Sequence, residues 1–192
     1  MVVAAESELL SFEEYCQLGD SDCRYELFNG ALRLMNPPSV DRFFIAKFLE
    51  QLFEVEIQRV QRPWTCFQGV GVRTGVRKSR IPDLSVVSLD SALELWGKSA
   101  VFETPPFLVV EIVSPNSATD DYHAKRSEYG SIEIPEYWIV DPSETTVMVL
   151  LLEQGFYEEA VYKGDESISS VMFPELNMTA NQILTVGGRF QQ

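Results

Sequence analysis

Apolar residues recur along this chain with two periods, and the switches between them mark out its elements. From residue 41 to 60, Phe44, Ile45, Phe48, Leu49, Leu52, Phe53, Val55 and Ile57 fall mostly three and four apart. That is the stripe of a long amphipathic helix with one face on a core, and Pro63 ends it. Residues 107–113 read Phe-Leu-Val-Val-Glu-Ile-Val, apolar at every position but one, as expected of a strand covered on both faces. Residues 136–140 give a second buried strand. Residues 64–73 and 84–88 read as strands, 147–152 and 156–162 as a hairpin about Gln154-Gly155, and 167–173 as a last, weaker strand.

Residues 24–28 and 31–35 flank Asn29-Gly30, a strong hairpin signal because both turn residues tolerate positive φ. Ser11 and Glu14 stand at capping-box spacing and predict a short helix to about Leu18. Ser91 to Trp96 predicts a helical turn, and Ser117 or Thr119 can cap a helix running to about Tyr129. Helices alternate with central strands and hairpins decorate the edges. The expected class is α/β or α+β, a mixed, partly parallel central sheet flanked by helices. With no repeat and no Gly/Ser linker, residues 1–192 read as one domain with a loose start at 1–10.

Charge narrows the functional classes. Fifteen Lys and Arg stand against twenty-nine Asp and Glu, a net charge of −14. A whole-surface polyanion binder is excluded, so any nucleic-acid contact must come from a local patch. No apolar run approaches the length of a membrane span, and residues 1–10 have no basic segment followed by a long apolar one. Three cysteines and a single histidine, His123, argue against a Cys/His zinc site. The expectation is a cytoplasmic protein with reduced thiols.

Glu111 is the most informative residue. It stands alone among Leu108, Val109, Val110, Ile112 and Val113, where an isolated ionised carboxylate is costly and must be protonated, paired or metal-bound. The bland alternative is an acid at a strand mouth, wet or paired to a structural base. Asp83 follows Pro82 at the entrance to another buried strand; alone it is a common turn residue. Together the two acids predict a site on neighbouring strands for Mg²⁺ or Mn²⁺, since such ions take one or two carboxylates and keep several waters. The carbonyl of Ile112 can add a neutral ligand. The slot beside Glu111 on the same strand face is Val113, so the ammonium such a site wants must come from elsewhere. Lys125 lies in an i, i+4, i+8 row with Asp121 and Tyr129, with Tyr122 adjoining; the tyrosines predict that this stripe faces the sheet. The bland alternative is a surface ion pair between Asp121 and Lys125.

Between Ile57 and Pro82 there is no acid, yet six bases: Arg59, Arg62, Arg73, Arg77, Lys78 and Arg80. This run leads into Asp83. It predicts a phosphate-contacting surface centred on Arg73, Arg77, Lys78 and Arg80, unless it is only a solvated edge hairpin. His123 reads as a surface residue and Tyr137-Trp138 as core.

Pro82-Asp83, then Val110-Glu111-Ile112-Val113-Ser114-Pro115, then Asp121, Lys125 and Tyr129, then residues 134–141 (Ile-Pro-Glu-Tyr-Trp-Ile-Val-Asp) resemble the Uma-type (Uma-two) family of restriction-endonuclease-like proteins. Tyr25-Glu26-Leu27, Gly30 and Leu32 match its opening, and the similarity spans roughly residues 10 to 175. The resemblance implies a PD-(D/E)XK nuclease fold, with Asp83 and Glu111 as site acids, the lysine moved to a helix at Lys125, and Glu26 as a third acid. Members often carry a His early in the first long helix; here the region reads Val40-Asp41-Arg42.

The expected function is a divalent-metal-dependent endonuclease cleaving DNA. A cation would polarise the phosphoryl oxygen, and Lys125 would stabilise developing charge and help deprotonate the water. The alternatives are a non-catalytic module on a nuclease fold, or a metal-dependent hydrolase of a small phosphoester. A lone basic patch binds weakly, which favours a homodimer presenting two.

Overall fold

The computed structural model describes residues 9–18, 24–114 and 120–186. The first elements follow the local signals. Helix α1 (Phe12–Cys16) carries both capping-box hydrogen bonds between Ser11 and Glu14. Strands β1 (Tyr25–Phe28) and β2 (Ala31–Leu34) pair antiparallel about Asn29 and Gly30, which take φ of 51° and 87°. Helix α2 (Val40–Val60) is the long helix. Then come β3 (Trp64–Gln68), β4 (Gly71–Gly75), β5 (Lys78–Arg80), β6 (Leu84–Ser88), α3 (Leu89–Glu94), β7 (Val101–Phe102) and β8 (Leu108–Ile112). A π-helical turn at Asp120–Ala124 runs into α4 (Lys125–Ser131). Strands β9 (Glu136–Asp141), β10 (Thr146–Glu153) and β11 (Phe156–Lys163) follow, and then α5 (Ala180–Leu184). The caps expected at Ser117 and Thr119 lie outside the described residues.

The central sheet has six strands in the order β11-β10-β9-β8-β6-β3, mixed because β8 and β9 run parallel. Side chains alternate across β8. Leu108, Val110 and Ile112 meet Ile45, Leu49, Phe53 and Ile57 of α2 in the main core. Val109 and Val113 join Tyr129, Ile134 and Tyr137 on the other face. Both faces are therefore covered, which is why β8 and β9 are almost wholly apolar. Glu111 has the parity of Val109 and Val113 and so faces α4.

Two expectations need correction. The run 64–73 is not one strand. It breaks at Gly69, φ +60°, so β3 stays in the central sheet while β4 joins a second, five-stranded sheet of order β2-β1-β5-β4-β7. A Cβ at Gly69 would lie 2.4 Å from a guanidinium nitrogen of Arg24. Thus the hairpin of β1 and β2 joins β4, β5 and β7 in a sheet of its own, while the hairpin of β10 and β11 forms the expected edge of the central sheet. Nor is 167–173 a strand; its surroundings offer only an isolated bridge between Ser167 and Thr179. The buried carboxylate of Glu136 takes this segment instead, accepting hydrogen bonds from the Ser170 hydroxyl, the Val171 and Met172 amides and the Trp138 indole. A carboxylate with four donors holds a loop as firmly as a ladder would. Among the described residues no helix is long and apolar enough to cross a membrane.

Candidate active site

The antiparallel register of β6 on β8 sets Leu84 opposite Val110, which brings Asp83, one residue before β6, level with Glu111. Asp83 Oδ2 accepts the Ile112 amide at 2.7 Å. The pairing thus ties the first acid to the strand that carries the second.

Lys125 arrives from the helical side. Its Nζ lies 2.7 Å from Glu111 Oε2 and 2.8 Å from Asp121 Oδ1. All three groups are buried, so the Asp121–Lys125 pair is no surface contact. Among the described residues Asp121 Oδ1 is buried with no donor besides this ammonium. Tyr129, one helical turn after Lys125, donates its hydroxyl to Glu111 Oε1 at 2.6 Å. Tyr122 reaches Asp141 instead, at 2.9 Å, and His123 is exposed.

Burial dominates Glu111 and pushes its carboxyl up to about 8, against the pull of the Lys125 ammonium; Asp121 and Asp83 push the same way as burial. Burial alone would lower Lys125, but Glu111 and Asp121 outweigh it and hold the ammonium above its ordinary value. Burial thus favours the neutral form of Glu111, while Glu111 and Asp121 favour the charged form of Lys125. Tyr129 is pushed up chiefly by burial and remains a donor.

Arg42 was not anticipated. One of its terminal nitrogens donates to both oxygens of Asp83 at 2.7 Å. Its sequence signal is an oddity: a cation in the first turn of α2, where the helix dipole disfavours one. Its Nε is buried without a partner. Glu26 is buried but engaged elsewhere, accepting from Arg80 at 3.0 Å and from the Ile81 amide at 3.2 Å. Its charge also helps to raise Lys125 and Tyr129.

The donor set suits a hard divalent cation. Asp83, Glu111 and Asp121 bring three carboxyl groups beside Arg42 and Lys125, and only oxygen ligands are at hand. Asp83 accepts three hydrogen bonds and Glu111 one besides its ion pair, which leaves lone pairs on both. Among the described residues no group of three or more His, Cys, Asp or Glu is gathered closely enough to hold an ion. A cation there would keep several waters, as Mg²⁺ does.

The basic stretch does not form the surface expected of it. Arg80 is fully buried, bound to Glu26 and to both oxygens of Glu128. Lys78 shares Glu128, Arg73 pairs with Glu103 and packs over Phe12, and Arg59 pairs with Glu56 and Glu175. Arg62 lies over the Trp64 ring, and Arg77 is exposed. Arg80 is thus withdrawn as a phosphate contact, and Arg73 and Lys78 would have to break ion pairs to make one. The argument for a dimer with two such patches weakens with them. Asp83 and Arg42 instead border a cleft of about 500 Å³ that also meets Arg24, Pro38 and Phe43.

The sequence profile of the Uma2 family, described as "Putative restriction endonuclease", matches residues 12–184. No curated protein matches the chain. Among solved structures, a "putative nuclease belonging to DUF820" from Anabaena variabilis ATCC 29413 superposes with a TM-score of 0.76, at 19% identity, over 92% of this chain and 98% of that one. The chain belongs to the Uma2 family and has the fold of that structure.

Proposed function

We propose that this Uma2 family member is a divalent-metal-dependent endonuclease that hydrolyses DNA phosphodiester bonds at Asp83, Glu111 and Lys125. One observation carries the reading: two carboxylates lie level on neighbouring strands, Glu111 paired with a buried ammonium and Asp83 lining an open cleft. Held by Asp83 and Glu111, with the Ile112 carbonyl as a neutral ligand, Mg²⁺ or Mn²⁺ would supply Lewis-acid charge to the phosphoryl group. Lys125 donates a fixed positive charge where negative charge develops. Tyr129 orients Glu111, and the Ile112 amide orients Asp83. Arg42 balances Asp83 before substrate arrives. Glu26 acts at one remove, through Arg80. The chain is read as a single domain working in the cytoplasm.

Arg42 across both Asp83 oxygens favours one competing reading, a nuclease fold that binds without cleaving. Plasmid DNA with Mn²⁺ or Mg²⁺ separates the two. The nuclease reading expects nicking that a chelator abolishes, and calorimetric Mn²⁺ binding that Asp83→Asn removes. Intact plasmid, with no Mn²⁺ binding by the wild type, would sink it.

A further inference from the structure

A regular duplex needs an exposed basic face, and the basic stretch before Asp83 offers little of one. Of the six bases between Ile57 and Pro82, four are held by carboxylates: Arg59, Arg73, Lys78 and Arg80. The cleft beside Asp83 is built differently. Its volume of about 500 Å³ falls in the range of small-ligand sites, roughly 300–1,000 Å³. Leu34, Pro37, Pro38 and Phe43 give it flat or apolar walls. Leu34 and Phe43 are 56% and 54% exposed there, large apolar surfaces left in water at the margin of a polar site.

The cationic groups of the cleft are Arg24 and Arg42. Arg24 lies against Gly69, where a side chain would collide with its guanidinium; among the described residues it has no carboxylate partner. Arg42 is fixed to Asp83. The Asn36 amide adds a group that can both donate and accept. An apolar wall for a planar base, a guanidinium for the phosphate, and an amide for the base edge are the parts by which unpaired nucleotides are recognised.

We propose that this cleft admits one unpaired nucleotide, so that the preferred substrate is a single-stranded or locally unpaired nucleic acid and not a regular duplex. The inference rests on the nuclease reading of the adjacent acids. In it the base lies along Pro37, Pro38 and Phe43, and its phosphate lies against Arg24, beside the Arg42–Asp83 pair. The net charge of −14 then works as a filter. A duplex meets repulsion over most of the surface, whereas a flexible strand needs only local contact.

The test takes one labelled DNA sequence as single strand, as duplex and as duplex with a central unpaired bubble, and the same strand as RNA. The full chain is assayed for cleavage in Mn²⁺ and for binding by fluorescence anisotropy. Single strand and bubble should be cleaved about ten-fold faster than duplex, and Phe43→Ala or Arg24→Met should raise KM for them about ten-fold with little change in thermal midpoint. The RNA arm shows which sugar the cleft takes. Equal cleavage of duplex and single strand, or an unchanged KM in both variants, overturns this inference and leaves the nuclease reading standing. No cleavage of any substrate, with single-strand binding that Phe43→Ala weakens, overturns the nuclease reading and keeps the cleft. Neither cleavage nor binding overturns both.

Discussion

Glu111 is under two opposed demands: a buried apolar strand favours its neutral form, and ion binding requires its charge. Its folded pKa of about 8 lies above the ordinary 4.5. Between those values the folded protein holds more protons than the unfolded chain. The contribution of this group to stability is therefore complete below 4.5 and is lost as pH rises through about 8. In metal-free protein Glu111→Gln should remove that slope. The variant should match the wild type near pH 5 and exceed its thermal midpoint at pH 9, which a pH series of melts reads directly. Lys125 makes the second residue-scale prediction. Lys125→Met should cut the cleavage rate by roughly 10²–10³, the usual worth of one transition-state donor, while circular dichroism stays near wild type. Asp83, Glu111 and Lys125 were legible because each breaks a local pattern: an acid in an apolar strand, an acid after proline, a lysine in a tyrosine stripe. Arg42 and Arg80 were not, because their partners lie far off in sequence, Asp83 at 41 residues from Arg42, and Glu26 and Glu128 at 54 and 48 from Arg80.

At the scale of elements, local signals were enough where the partner was also local. The capping box of α1, the Asn29-Gly30 turn and the three-four spacing of α2 all name their elements without reference to the rest of the chain. The division of 64–73 was hidden because only Gly69 and Gly71 interrupt an otherwise strand-like run; only the second sheet shows why it must turn. Likewise 167–173 has a strand-like composition, but Glu136 offers its amides a better partner than a strand edge. Gly69→Ala should test the first of these. A side chain at φ +60° costs about 1–2 kcal/mol and would push the Arg24 guanidinium aside. The expected result is a modest fall in midpoint together with weaker single-strand binding. A neutral substitution would mean that Gly69 does not set the break.

Over the whole molecule the main question is where the positive charge goes. Two accounts of Arg80 predict opposite phenotypes. As a buried partner of Glu26 and Glu128 it should be hard to remove: Arg80→Met leaves uncompensated buried acids, and breaking such a pair costs about 3–5 kcal/mol. As a phosphate contact, its loss would spare stability and weaken binding only. Denaturant melts of Arg80→Met decide between them. Salt dependence offers a second view of the same charge. A duplex held by three or four bases would give a slope of log K on log salt of about −3 to −4, whereas a single strand held by Arg24, with Arg42 kept on Asp83, should give about −0.7.

The central claim is that Asp83, Glu111 and Lys125 form a metal-dependent phosphodiesterase, and single-turnover cleavage of labelled DNA in Mn²⁺ tests it most directly, comparing wild type with Glu111→Gln. Glutamine keeps the shape and an acceptor for Tyr129 but cannot offer a charge to a cation. The account predicts measurable cleavage by the wild type and at least about 10²–10³-fold less by the variant, with the folded state preserved. Cleavage by Glu111→Gln at the wild-type rate, or none by the wild type in either Mn²⁺ or Mg²⁺, would contradict it.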